Sequence, residues 1–245
     1  MRLTFVGCGD AFGSGGRFNT CFHVEAESTR FLIDCGASSL IAMKALGIDR
    51  NAIDTILITH FHGDHFGGIP YFMLDAQFFA KRRTPLVIAG PEGLADWYER
   101  VMETAFPGSS GTRQKFDLEL RELAAGTTAS FAGFEVTTAR VRHGPPEGPF
   151  HALRIAVDGK VLAYTGDTEW TDALIDIGRE ADLLIAEAYF YDKRVPLHLD
   201  LATLEEKLPL MQPKRLVLTH MNDDMLGRTG SLPYETAEDG KVIGI

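Results

Sequence analysis

His60, His62 and His65 fall within six residues of one another, and Asp64 stands between the last two. Imidazole nitrogen and carboxylate oxygen are the donors that borderline divalent ions prefer, zinc foremost. Residues two apart on an extended segment point the same way, so His60 and His62 can grip one ion. Gly63 then permits a sharp turn, and Asp64 and His65 at a helix start can reach a second ion. No cysteine lies beside the cluster, which disfavours a closed structural zinc knot.

A pair of ions needs further donors from elsewhere in the chain. Candidates are histidine or aspartate at the end of a strand, followed by glycine or a turn. His143 follows an expected strand at 134–141 and precedes Gly144-Pro145-Pro146. Asp167 follows one at 160–164, within Thr165-Gly166-Asp167-Thr168. His220 follows the apolar run Leu216-Val217-Leu218-Thr219. His23 and His151 lie inside strand patterns and read as packing or surface residues.

The positioning elements begin with strands expected at 2–6, 20–26 and 30–34, rich in β-branched and aromatic residues. Residues 7–16 are glycine-rich, yet match neither the Walker spacing nor a dinucleotide fingerprint, because a strand follows. They read as a flexible loop near the site. A helix at 38–46 ends at Gly47, and a short strand at 53–59 runs into the histidine cluster. Residues 69–81 read as helix, 86–89 as strand, and 91–104 as a helix opening with proline in its first turn. Strands follow at 116–123, 129–131 and 134–141, then a hairpin of 151–157 and 160–164 across Asp158-Gly159. Helices at 169–177 and 201–208 alternate with strands at 182–187 and 215–219, and 241–245 ends the chain as an edge strand. Each half supplies strands followed by helices. Two sheets packed face to face with helices outside satisfy that pattern, and bring strand ends from both halves to one edge.

At 245 residues and 45% hydrophobic content, residues 1–245 read as a single α/β domain without linker or repeat. Neither a signal segment nor a run of about 20 apolar residues is found, so the expectation is a cytoplasmic protein outside the membrane. Cys8, Cys21 and Cys35 are too few and too scattered for a disulfide framework, and read as small buried residues. The net charge of −10 disfavours a long phosphate-tracking surface. A small-molecule substrate is therefore favoured over nucleic acid, which stays open because two ions would make the site locally positive.

The cluster Thr59-His60-Phe61-His62-Gly63-Asp64-His65, the segment Phe31-Leu32-Ile33-Asp34-Cys35-Gly36 and the later His143, Asp167 and His220 together resemble the metallo-β-lactamase superfamily. The likeness covers nearly the whole chain. It implies a four-layer αβ/βα sandwich, with His60, His62 and His143 on one metal, Asp64, His65 and His220 on the other, and Asp167 bridging. The cysteine ligand of the antibiotic-hydrolysing members is missing. Within the superfamily the chain looks closest to the ribonuclease Z-like phosphodiesterases, which carry a further histidine before the last ligand. Here Leu197-His198-Leu199-Asp200 fills that interval, and Glu187 resembles its acidic partner. The same arrangement is similar to small cyclic-phosphate phosphodiesterases of phosphonate metabolism. No insertion suits the long RNA-clamping arm of the transfer-RNA enzymes, and their usual serine or threonine after the extra histidine is replaced by Leu199-Asp200.

The expectation is thus a binuclear metal-dependent hydrolase, a phosphodiesterase acting on a small phosphodiester or a cyclic phosphate or nucleotide. Its cofactors are two divalent ions, Zn²⁺ first and Mn²⁺ as the alternative, which would lower the pKa of a bridging water so that hydroxide attacks phosphorus. Asp64 would accept a proton besides holding metal. His198, charged or oriented by Glu187, would stabilise the transition state or protonate the leaving oxygen. The alternatives are a lactone or thioester hydrolase of the same fold, ribonuclease Z-like RNA processing, and a non-catalytic metal-binding protein. Pocket walls are expected from 66–71, 106–113, 145–150 and 189–195, where Phe150, Tyr189, Phe190 and Tyr191 could stack on a base. A homodimer stays open, since dimers are common among relatives.

Overall fold

The computed structural model describes residues 1–245. Its first strands are β1 (Arg2–Gly7), β2 (Cys21–Glu25), β3 (Arg30–Ile33), β4 (Thr55–Leu57), β5 (Leu86–Pro91) and β6 (Leu118–Leu123). They form one sheet together with the last strand of the chain. The second sheet holds β7 (Thr128–Phe131), β8 (Phe134–Arg140), β9 (His151–Val157), β10 (Lys160–Tyr164), β11 (Leu183–Glu187), β12 (Leu216–Thr219) and β13 (Glu235–Thr236). That last strand, β14 (Val242–Gly244), pairs antiparallel with β1, giving the orders β14-β1-β2-β3-β4-β5-β6 and β13-β12-β11-β10-β9-β8-β7. The helices are α1 (Ser39–Ala45), α2 (Gly63–Phe66), α3 (Ile69–Leu74), α4 (Leu94–Ala105), α5 (Ala173–Gly178), α6 (Leu201–Met211) and α7 (Asp223–Leu226). None is long and apolar enough to cross a membrane.

Strand alternation sorts the apolar side chains into three buried layers. Leu3, Phe5, Phe22, Val24, Phe31 and Ile33 face Val136, Leu153, Ile155, Leu162, Ile185 and Val217 between the sheets. The opposite faces of the same strands, carrying Val6, Leu32 and Ile56, pack on α1, α3 and α4. Ala152, Leu184 and Leu218 pack on α5, α6 and α7. The arrangement is the four-layer sandwich expected from the sequence. At its centre Phe22 meets Phe5 and Tyr164 edge-on, with ring centroids 5.2 and 5.1 Å away. Such pairs add roughly 0.5–1.5 kcal/mol each beyond their burial. Both sheets carry parallel strands, β3 to β6 in one and β10 to β13 in the other. Parallel strands present their carboxyl ends along one edge, where ligands bind in open α/β sheets.

Several expected boundaries shift. The helix placed at 91–104 begins only at Leu94, because Pro91 is still in β5, paired with Leu123, and Gly93 then turns at φ 90°. The helix placed at 169–177 begins at Ala173, since Glu169 bonds back to the Arg142 carbonyl. The helix at 201–208 runs on to Met211 past Pro209, whose missing N–H falls in the last turn. β13 and α7 were not foreseen: elements of two and four residues are too short to show periodicity. The tail strand was expected, but it joins the sheet of the amino-terminal half. All three cysteines are free and buried.

His151 opens β9 and links the sheets, its N–H donating to the Thr59 carbonyl at 3.0 Å. Its side chain is buried, and Nδ1 has no partner. Burial first, and Arg140 second, push its pKa from 6.5 down to about 4. The folded state therefore refuses a proton that the unfolded chain accepts. This stabilisation is present above pH 6.5 and is lost as pH falls toward 4, by up to roughly 3 kcal/mol. Denaturant unfolding between pH 7 and 4 should show a shallower acid limb for His151→Gln than for the wild type. Superimposable limbs would contradict the assignment.

Candidate metal centre

Beyond β4 the chain reaches His62 with extended dihedrals (φ −67°, ψ 153°) and then turns into α2, which carries Asp64 and His65. The loop after β3 docks on this turn. Cys35 N–H donates to the His65 carbonyl at 2.7 Å, and Ala37 N–H to that of Gly63 at 3.1 Å. Only glycine fits at 36, where a Cβ would lie 2.1 Å from the Asp64 carbonyl oxygen. From the second sheet, His143 comes shortly after β8, Asp167 after β10, Glu187 at the end of β11 and His220 directly after β12.

These strand ends meet. The donor atoms of His60, His62 and His143 lie within 4.8 Å of one another, as do those of Asp64, His65, Asp167 and His220. Asp167 lies between the groups, with Oδ2 3.2 Å from Nε2 of both His65 and His220 and 3.7 Å from His143 Nε2. The fit to a cation can be tested on the buried atoms. His60 Nε2, His65 Nε2 and Asp167 Oδ1 have no hydrogen-bond partner. His65 Nε2 is close to Asp64 Oδ2, at 3.3 Å, but the contact is poorly directed for hydrogen bonding. A buried polar atom left unpaired costs about 1–3 kcal/mol. Three in one cluster are well explained by a site shaped for ions, and the donor set suits two.

Charge divides the two groups. With protons as the only cations, burial works against charge on His220, but Asp167, Asp64 and Glu187 outweigh it and push its pKa up to about 10. His65 rises against burial for the same reason, through Asp167, Asp64 and Asp34. Burial would raise Asp64 and Asp167, yet these imidazoles hold both below the usual carboxylate range. His60 and His62 go the other way, lowered by burial and then by His65 and His143 respectively. One group therefore draws in positive charge, while His60 and His62 of the other offer neutral imidazole.

A set of orienting partners escaped the sequence reading. Asp34, buried at φ 59°, accepts from His65 Nδ1 at 2.7 Å and from the Thr59 N–H and hydroxyl at 2.8 and 3.0 Å. The His143 Nδ1–H donates to the Leu197 carbonyl at 2.8 Å, leaving Nε2 for a ligand. The available signal for Asp34 was a charged residue closing the apolar run Phe31-Leu32-Ile33.

His198 and Glu187 do meet. Glu187 accepts from His198 Nδ1 at 2.5 Å, and its other oxygen accepts from the N–H groups of Thr168 and Leu199 at 2.8 and 3.2 Å. Burial opposes charge on His198, but the Glu187 bond prevails and holds its pKa above the ordinary value. Its ring stacks on Tyr189, with centroids 4.4 Å apart. His23 and His151 stay buried in their strands, apart from both donor groups.

A cavity of about 330 Å³ opens over the cluster, walled by Asp10–Phe12, Tyr189 and Pro196–His198. This corrects the expected walls. Residues 66–71 and 106–113 are not among its walls; in the first stretch Phe66 and Ile69 turn inward onto the outer face of the first sheet. Phe150 packs behind the rings of His60, His62 and His143 instead of lining the cavity, and of 189–195 only Tyr189 reaches it.

Fold and site together define a ribonuclease Z-like member of the metallo-β-lactamase superfamily, a metal-dependent hydrolase. Residues 1–237 match the family model described as "Anti-Pycsar protein Apyc1", and the chain belongs to that family. A ribonuclease Z of Anoxybacillus flavithermus is 25% identical, matching 99% of this chain and 93% of its own length. One from Methanothermobacter thermautotrophicus is 28% identical, over 91% and 87%. The crystal structure of the short form of human tRNase Z superposes with a TM-score of 0.82 at 26% identity, covering 100% of this chain and 99% of the other.

Partners that orient a metal-binding histidine are commonly worth ten- to a hundredfold in metal affinity. Asp34→Asn should therefore weaken zinc binding about tenfold or more in a chelator competition assay, with the fold retained by circular dichroism. Unchanged affinity would remove Asp34 from the site.

Proposed function

We propose that this chain hydrolyses a small phosphodiester or cyclic phosphate, cyclic nucleotides among them. The observation that carries this reading is His198, set at the edge of the cavity and held through Nδ1 by the buried Glu187 carboxylate. Cleaving a phosphodiester expels an alkoxide, a poor leaving group without a proton. An imidazole anchored at Nδ1 has Nε2 free to supply one.

Divalent ions held by His60, His62, Asp64, His65, His143, Asp167 and His220 would supply Lewis-acid polarisation and acidify water. The chain's own residues do the rest. Asp64, at the cavity floor, accepts the proton of the attacking water as its oxygen bonds to phosphorus. The bond to the leaving oxygen breaks, and His198 donates its Nε2 proton there. Glu187 and the Tyr189 ring hold the imidazole in plane. A cyclic substrate would give a phosphomonoester.

A small substrate is supported by a cavity with no lysine or arginine among its lining residues. RNA is the second reading, favoured by the relatives named ribonuclease Z. Against these relatives the acidic net charge is no argument for excluding nucleic acid.

Zinc-loaded protein should turn over bis(p-nitrophenyl) phosphate and cyclic nucleotides faster than a lactone, a thioester or a structured RNA. His198→Ala should lower kcat by about 10²–10⁴ with metal content unchanged. Turnover confined to the lactone or thioester overturns the proposal, a preference for RNA selects the second reading, and unaltered turnover removes His198 from the mechanism.

A further inference from the structure

We propose that Phe12 is the surface on which the nucleobase of a nucleotide substrate stacks; the inference rests on the function proposed above. Phe12 is 85% exposed, more than any other large apolar side chain, and it stands at the wall of the metal cavity.

The loop that presents it is tied down. Asp10 is buried, and its carboxylate accepts from the N–H groups of Phe12 and Ser14 at 3.1 and 2.9 Å and from the Ser14 hydroxyl at 2.7 Å. Asn19 Nδ2 donates to the Asp10 carbonyl at 3.1 Å, and Gly15 N–H to Asp223 at 3.1 Å. Gly13, Gly15 and Gly16 all have φ between 64° and 74°, a backbone that glycine adopts without strain. The flexible loop expected from the sequence is in this structure a bonded turn that holds one aromatic ring in water beside the site. With its backbone fixed before binding, Phe12 has only side-chain rotamer freedom left to lose when a ligand covers its ring.

The other aromatic candidates are already engaged. Phe150 is 7% exposed behind the ligand imidazoles. Tyr189 spends one face on His198, Phe190 packs edge-on against Tyr189 at 5.0 Å, and Tyr191 lies under Arg228 at 4.7 Å. Of the two aromatic residues at the cavity wall, Phe12 and Tyr189, only Phe12 packs on no other ring. With no lysine or arginine in the lining, the part of the ligand beyond its phosphate is matched by a flat, uncharged group. A nucleobase meets that description, and stacking tolerates any base because every base has a π-face.

The test measures binding to zinc-loaded protein, using the slowly hydrolysed 3′,5′-cyclic phosphorothioates of adenosine and uridine and their abasic ribose counterpart. The wild type should bind at least one nucleoside analogue about tenfold or more tightly than the abasic compound. Phe12→Ala should lose that preference, with zinc content and Tm unchanged, and Phe12→Trp should keep it. A preference that survives in Phe12→Ala overturns the inference, as does a wild type that binds all three compounds equally or none. If the preference is found but no phosphodiester is turned over, the inference stands and the proposed reaction fails.

Discussion

Four carboxylates, those of Asp34, Asp64, Asp167 and Glu187, lie buried at one end of the sandwich, and each must face positive charge or hydrogen-bond donors. An unpaired carboxylate in the interior costs at least several kcal/mol. Here each faces imidazole: Asp34 meets His65, Asp64 meets His65 and His220, Asp167 meets His65, His220 and His143, and Glu187 meets His198 and His220. The imidazoles alone do not complete the balance, for donor atoms on His60, His65 and Asp167 stay unpartnered. A dense buried array of this kind is poor at stabilising a fold and well suited to gripping cations.

Bringing the groups together takes the whole architecture. Ends of strands from both sheets reach one edge, and the backbone bends sharply where they arrive. Asp34, Leu197 and His220 have φ of 59°, 72° and 54°, although none is glycine. Such conformations cost about 1–3 kcal/mol each and persist where surrounding contacts fix them. Gly36 lets the loop after β3 press against α2, so that Asp34 reaches His65 from behind. The core between the sheets, with Phe22 and Tyr164 at its centre, holds the two halves of the donor set in register.

Much of this was legible in the sequence because the candidate ligands are marked locally. His60, His62, Asp64 and His65 declare themselves by spacing, and His143, Asp167 and His220 by following apolar runs. The pairing of His198 with Glu187 came from resemblance and the geometry agrees. What stayed hidden depends on residues distant in sequence. Asp34 acts through His65, 31 positions away, and nothing in the intervening chain announces it. The cavity walls were misplaced because an apolar helix face reads the same whether it turns toward a ligand or, as with Phe66 and Ile69, toward a sheet. Phe12 was unremarked because a glycine-rich stretch looks loose until Asp10 is seen to bond it from within.

The central claim is that seven side chains from both sheets hold two ions, with Asp167 shared between them. The most direct measurement is metal content per chain by inductively coupled plasma mass spectrometry, after zinc loading and removal of free metal. Two zinc ions in the wild type and one or fewer in Asp167→Ala is the result this account predicts. A wild type that holds one ion or none, or a variant that keeps both, would contradict it.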